Sequence, residues 1–165
     1  MKNYNILKKK IPGKKELSAM LSLWRFQQKK IVFTNGCFDM LHLGHINYLS
    51  QAKDCGDVLL VGVNTDRSVK MLGKGSNRPI TDENARATIV AALHFVDAVV
   101  LFDEETPYEL IQKVQPDVLV KGSDYLPEDI VGYDIVKKKG GEIITIDLLP
   151  DYSTTGIVRK ITGKK

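Results

Sequence analysis

The chain is poor in cysteine, aromatic residues and long apolar runs, and each shortage excludes something. Two cysteines in 165 residues, Cys37 and Cys55, form neither a CxxC pair nor a disulfide framework, which suits a reducing compartment. Aromatic residues make up only 7%, too few for the stacked aromatic and basic platform of an RNA reader. No apolar run approaches the roughly 20 residues of a membrane span, and no signal-peptide core follows the lysine-rich start. Internal repeats and low-complexity tracts are missing too. The expectation is a soluble cytoplasmic protein without membrane or nucleic-acid partners.

What is present fits one compact domain. The composition is 43% hydrophobic, enough for a real core at this length. The net charge of +4 is mild. Much of it sits at the ends, with Lys8, Lys9, Lys10, Lys14 and Lys15 near the start and Lys160, Lys164 and Lys165 at the finish. Such ends are expected to be solvated.

Residues 13–28 carry Leu17, Met20, Leu21 and Trp24 at helical spacing, predicting a helix that buttresses the sheet. Ile31–Phe33 has the apolar, β-branched and aromatic character of a buried strand, which Gly36 ends. A helix then begins near His45, with Ile46, Leu49 and Ala52 on one stripe. Residues 57–64 form a continuous apolar run, the mark of a strand buried on both faces of a parallel sheet. After it, Lys70–Pro79 is polar and irregular, either a plain surface loop or a flap whose cations close on a polyanion. Thr81 is a plausible cap for a helix that contains Arg86 and buries Ile89, Val90 and Leu93.

A third strand follows over 97–102, then a helix with Pro107 at its first position. The fourth strand, 116–120, runs into Lys121-Gly122-Ser123-Asp124-Tyr125. A helix from Pro127 to Lys139 stops at Gly140-Gly141, and the fifth strand spans 142–147. Ser153-Thr154-Thr155 caps a last helix carrying Ile157, Val158 and Ile161. Alternating strand and helix predict a five-stranded, parallel, doubly wound α/β domain. Its polar strand ends, at Asn35-Gly36, Asn64-Thr65-Asp66 and Lys121–Asp124, converge on the rim where such sheets bind ligands.

The chemistry concentrates between residues 34 and 45. His42 and His45, three apart at a helix start, share a face. A helix start also offers free N–H groups and the positive end of a dipole to phosphate. Gly44 would let phosphates approach the backbone. From these residues alone, phosphate binding and a capping-and-packing role stay equally open. A zinc site lacks a third and fourth ligand at sensible spacing, His94 having no local partners. Cys37 is either a thiol nucleophile or, more commonly at a strand end, a small buried residue.

Thr34-Asn35-Gly36-Cys37-Phe38-Asp39 followed by His42-Leu43-Gly44-His45 resembles the nucleotidyltransferase family related to the cytidylyltransferases. Asn64-Thr65-Asp66, Arg78-Pro79, the helix with Arg86, Lys121–Tyr125 and Ser153-Thr154-Thr155 appear in the family's order, so the likeness covers the chain from about residue 30. This divides it into an N-terminal basic segment and helix, 1–29, and a nucleotidyltransferase domain, 30–165. Within the family the chain is most similar to the heptose 1-phosphate adenylyltransferases, here without an attached sugar-kinase domain. Glycerol-3-phosphate cytidylyltransferases carry an arginine-containing motif where this chain has Leu149-Pro150-Asp151-Tyr152.

The resemblance implies roles residue by residue. His42, His45, Lys70 and Arg86 would be catalytic, stabilising charge on the transferring phosphate. Asn35, Gly36, Cys37, Phe38, Gly44, Lys74, Lys121, Gly122, Asp124, Ser153, Thr154 and Thr155 would bind the nucleotide. Asp39, Asn64 and Asp66 would face the acceptor. The implied reaction joins ATP, with Mg²⁺, to a D-glycero-D-manno-heptose 1-phosphate, giving an ADP-sugar and pyrophosphate. A cytidylyltransferase of glycerol 3-phosphate or another small alcohol phosphate is the alternative. A homodimer is the expected assembly.

Overall fold

A computed structural model describes residues 2–73 and 78–163. Five strands form one wholly parallel sheet in the order β3-β2-β1-β4-β5. They are β1 (Ile31–Gly36), β2 (Val58–Asn64), β3 (Ala98–Phe102), β4 (Val118–Gly122) and β5 (Glu142–Ile146). β2 is buried along its whole length, as its unbroken apolar run requires of a central parallel strand.

Helices cover both faces. On one face, α3 (Leu43–Asp54) and α5 (Glu83–Ala91) contribute Tyr48, Leu49, Ala52, Ala87, Val90 and Ala91 to a core with Val32, Val61 and Val120. On the other, α2 (Lys14–Phe26) and α6 (Tyr108–Val114) bury Leu17, Leu21, Trp24, Leu110 and Ile111 against Ile31, Phe33 and Leu119. α2 therefore shares the main core, although it precedes residue 30.

Several local expectations are corrected. Asp82, not Thr81, caps α5, its carboxylate accepting from the Asn84 and Ala85 amides; the Thr81 hydroxyl is engaged elsewhere. Ile89 is exposed, because Arg86 and Val90 occupy the buried face. Pro107 sits at the cap position of α6, one residue ahead of the helix. The 127–139 helix is split into a 3₁₀ turn (Pro127–Asp129) and α7 (Tyr133–Lys138). Gly132 causes the break: its φ is +90°, and a Cβ there would meet Ile111 Cδ1 at 2.7 Å. Lys70 belongs to a short helix, α4 (Asp66–Met71), and not to the loop after it.

The basic start is also not simply solvated. Residues Lys2–Lys9 form helix α1, and Lys10 Nζ donates to the carbonyls of Leu93 (3.2 Å) and Val96 (2.7 Å). The cation thereby meets two backbone carbonyls just beyond α5. At the other end, α8 (Thr154–Thr162) buries no residue fully, and Ile161 is exposed.

The register explains where the site opens. β1 pairs with β2 from Ile31 through Gly36 but with β4 only at Val32 and Phe33. Beyond Phe33 the two strands part, at the point where the strand order reverses and a parallel sheet makes a crevice. Tyr48 spans the gap: its hydroxyl donates to the Val120 carbonyl (3.1 Å) and accepts from Thr34 (2.7 Å).

Candidate active site

A cavity of about 830 Å³ lies over the carboxyl ends of the strands, centred on this crevice. Its floor is the loop after β1. Phe38 and Met40 hold φ of +49° and +51° there, a left-handed backbone costly for residues with a Cβ and found where surrounding contacts enforce it. The loop turns Phe38 inward, its ring edge-on to His45 with centroids 5.4 Å apart.

His42 stands just before α3 and His45 in its first turn. The two imidazoles stack, centroids 3.8 Å apart and planes 22° off parallel. Gly44 makes the stack possible, since a Cβ there would lie 3.1 Å from both His42 Nδ1 and Tyr152 Cβ. Its work is side-chain packing beside the expected approach to phosphate. Neither Nδ1 has a hydrogen-bond partner among the described residues, although both are buried. Each such atom costs about 1–3 kcal/mol until something pairs with it. Burial lowers the pKa of His42. Burial, and then the neighbouring His42, push His45 down to about 4, with Asp39 only partly opposing. Burial thus favours the neutral form of both rings, in which each can donate or accept a hydrogen bond.

Asp39 presents the opposite condition. Its carboxylate is 4% exposed. It accepts from Arg78 Nη1 (3.0 Å), the Ile80 amide (2.9 Å), and the amide (3.1 Å) and hydroxyl (2.9 Å) of Thr81. Burial raises its pKa, but these four donors outweigh that and leave it lowered. Its carbonyl accepts from Thr154 Oγ1 (2.8 Å), so one residue ties the β1 loop to both the 78–81 segment and the start of α8.

Arg86 lies beneath the loop, 1% exposed. It donates to the Thr81 carbonyl (2.9 Å), the Cys37 carbonyl (2.6 Å) and Asp66 Oδ1 (2.7 Å). Thr81 thus links Asp39 and Arg86, and a closed ring of bonds holds the backbone of Cys37, Phe38 and Asp39. On the β4 side, Lys121 Nζ donates to Asn35 Oδ1 (2.5 Å) and lies 5.8 Å from the Tyr125 ring centre. Ser153 Oγ caps α8 by accepting from the Gly156 amide (3.0 Å).

A family model described as cytidylyltransferase-like matches residues 33–160. The chain belongs to the cytidylyltransferase-like family. The resemblance carried by the Thr34–Asp39 and His42–His45 motifs is borne out. Among curated relatives, it is 52% identical over 147 residues to the bifunctional protein HldE of Methylobacillus flagellatus, covering 89% of this chain and 30% of that protein. It is 54% identical over 157 residues to the HldE of Campylobacter jejuni subsp. doylei, covering 95% and 32%. The chain therefore spans about a third of the length of these relatives.

Solved structures agree on the fold. A lipopolysaccharide core biosynthesis protein from Thermoplasma volcanium aligns with TM-score 0.62 and 32% identity over 73% of this chain and 98% of that one. A pantoate–β-alanine ligase from Francisella tularensis, at 18% identity and TM-score 0.60 over 90% and 74%, shares the fold alone.

In this cytidylyltransferase-like chain the cavity gathers most of the expected site: Asn35 to Asp39, His42, Gly44, His45, Asn64, Lys121, Gly122, Asp124 and Ser153 to Thr155. Three expected residues fall elsewhere. Arg86 and Asp66 do not line the cavity; they satisfy each other behind it. Lys70 is exposed on α4, away from the wall. Lys74 lies outside the described residues. Asp39 does line the cavity, with its carboxylate already bonded on all sides. The wall also holds Arg78, Glu105, Thr106 and Tyr152, for which the sequence offered no signal beyond Arg78-Pro79 in the family order.

Proposed function

We propose that the protein is an adenylyltransferase joining ATP, as its Mg²⁺ complex, to a D-glycero-D-manno-heptose 1-phosphate. The single observation that carries this reading is the pair of imidazole nitrogens beside the cavity, buried and unpartnered among the described residues. A phosphate oxygen bearing a proton, or the N–H of either tautomer facing a bare phosphate oxygen, relieves both at once. Family membership makes nucleotidyl transfer the reaction. The choice of ATP over CTP is supported by Lys121–Tyr125 and by Leu149–Tyr152, which lacks the arginine of glycerol-3-phosphate cytidylyltransferases.

In this mechanism an oxygen of the sugar 1-phosphate attacks the α-phosphorus of ATP. The bond from that phosphorus to the bridging oxygen breaks, and pyrophosphate departs. The attacking oxygen is already anionic, so no strong general base is required. Catalysis is in-line positioning plus stabilisation of charge on the transferring group. His42 and His45 donate hydrogen bonds to that group as it gains charge. Lys121 and the start of α8 receive the nucleotide.

The division at residue 30 is functional in this reading: every site residue follows it. A cytoplasmic location and a homodimer complete the proposal, the dimer being checked by analytical ultracentrifugation. The deciding experiment is pyrophosphate release across ATP, CTP, GTP and UTP against heptose 1-phosphate anomers and glycerol 3-phosphate. Turnover confined to ATP with a heptose 1-phosphate is expected. Preference for CTP with glycerol 3-phosphate would replace this reading with the alternative.

A further inference from the structure

Where β1 and β4 part, side chains take the place of the ladder. Main-chain pairing joins Val32 to Val118 and Phe33 to Leu119. One register step further stand Thr34 and Val120, both fully buried. The Tyr48 hydroxyl sits between them, donating to the Val120 carbonyl (3.1 Å) and accepting from Thr34 Oγ1 (2.7 Å). At the step after that, Lys121 Nζ donates to Asn35 Oδ1 (2.5 Å). Two successive side-chain rungs therefore cross the crevice, and Tyr48, Asn35 and Lys121 all line the cavity.

The two rungs differ in kind. The outer one uses an ammonium that the nucleotide would share. The inner one is internal to the fold: Tyr48 is 8% exposed, and its single proton is committed to Val120. Burial raises the pKa of the phenol and keeps that proton in place. The inner rung also joins three elements. Tyr48 follows His45 by three residues on α3, so the two share a helix face. The Val120 carbonyl belongs to the peptide group that leads into Lys121, and Thr34 leads into Asn35. One hydroxyl thus ties the helix of the imidazoles to the strand end that carries the lysine.

We infer that Tyr48 is a positioning residue for the transfer, fixing the separation of the His42–His45 pair and Lys121 across the crevice. This rests on the adenylyltransferase reading above and deepens it. Tyr48 acts on the substrate through the groups to either side of it, which hold one ATP between them. Positioning of this kind is steep, since a displacement of about 1 Å can cost about a hundredfold in rate. A phenylalanine ring keeps the packing but leaves the buried Val120 carbonyl and Thr34 hydroxyl without their partner. The strand ends then shift to recover one.

The test is steady-state pyrophosphate release by the full chain with ATP and heptose 1-phosphate, well below the unfolding temperature of each variant. Tyr48→Phe is expected to lower kcat/KM for ATP about ten- to a hundredfold. Thr34→Val, which leaves the bond to Val120 in place, lowers it less. Lys121→Met separates positioning from plain stability: combined with Tyr48→Phe, its own penalty shrinks, because a displaced lysine has less to lose. Penalties that multiply independently, or wild-type kcat/KM in both Tyr48→Phe and Thr34→Val, would overturn the inference while leaving the adenylyltransferase reading intact. If Tyr48→Phe does not fold, the cycle of Thr34→Val with Lys121→Met decides in the same way. Wild-type enzyme that releases no pyrophosphate from ATP with any sugar 1-phosphate would overturn both.

Discussion

The imidazole pair and the cluster around Asp39 lie within six residues of each other, yet they treat buried polar atoms in opposite ways. Asp39 and Arg86 have their charged groups bonded to named partners at 2.6–3.1 Å. His42 and His45 each leave a buried nitrogen without one among the described residues. Buried polar atoms in folded proteins are paired in the great majority of cases. The saturated cluster accordingly reads as scaffold, and the unsaturated pair as the place where a ligand completes the bonding. Residue type alone does not separate the two: a carboxylate and a guanidinium are as suited to chemistry as an imidazole.

The sharpest way to break the comparison is to remove one imidazole. His45→Ala or His42→Ala is expected to lower turnover about a hundred- to a thousandfold, the usual loss for one stabilising donor. Thermal unfolding should move little, because an unsatisfied group is removed. Pyrophosphate release and calorimetry on the same preparations check this. Near-wild-type turnover in both variants would return the histidines to a packing role.

Arg86→Met tests the other half. It leaves Asp66 and the Cys37 and Thr81 carbonyls without their donor, and is expected to cost about 3 kcal/mol, the lower end for breaking a buried pair. The lower end applies because Asp66 keeps a third of its side-chain exposure. Urea unfolding measures it. A variant that folds with full stability but fails to bind ATP would instead make Arg86 a ligand of the nucleotide.

The smallest effect is the pH dependence. His45 titrates near 6.5 unfolded and near 4 folded. Between those values the unfolded chain binds more protons, so stability rises with pH there and is lost as pH falls from 6.5 toward 4. Asp39, with its pKa lowered by its four donors, keeps its contribution above its unfolded pKa near 3.8 and loses it only below that. The two windows therefore barely overlap. His45→Gln should flatten the slope between pH 6.5 and 4 and leave the acid limb below 4 in place. A slope unchanged in that variant would assign the titration to other groups.

Much of the fold is legible in the sequence. The unbroken apolar run before Asn64 and the alternation of strands with amphipathic helices are local signals, and each element forms within a few residues of where its pattern lies. The failures are local as well. The 127–139 helix is broken because the chain must pass Ile111, and only Gly132 permits the required backbone. Ile89 lost its expected burial to Arg86, since a helix face holding a large side chain bonded in three directions turns its neighbour outward.

The sequence by itself determined the order of elements, and it marked the rim and the Thr34–His45 stretch as the candidate site. These follow from periodicity and from residue spacing on one helix or strand end. Only the tertiary structure decided which charged groups remain free to act. Arg86 and Asp66 are drawn behind the loop, and Asp39 is saturated from residues 78–81. Each outcome depends on partners about twenty to forty residues away, and hydrogen-bond saturation is a property of such pairings, which no single stretch of chain encodes.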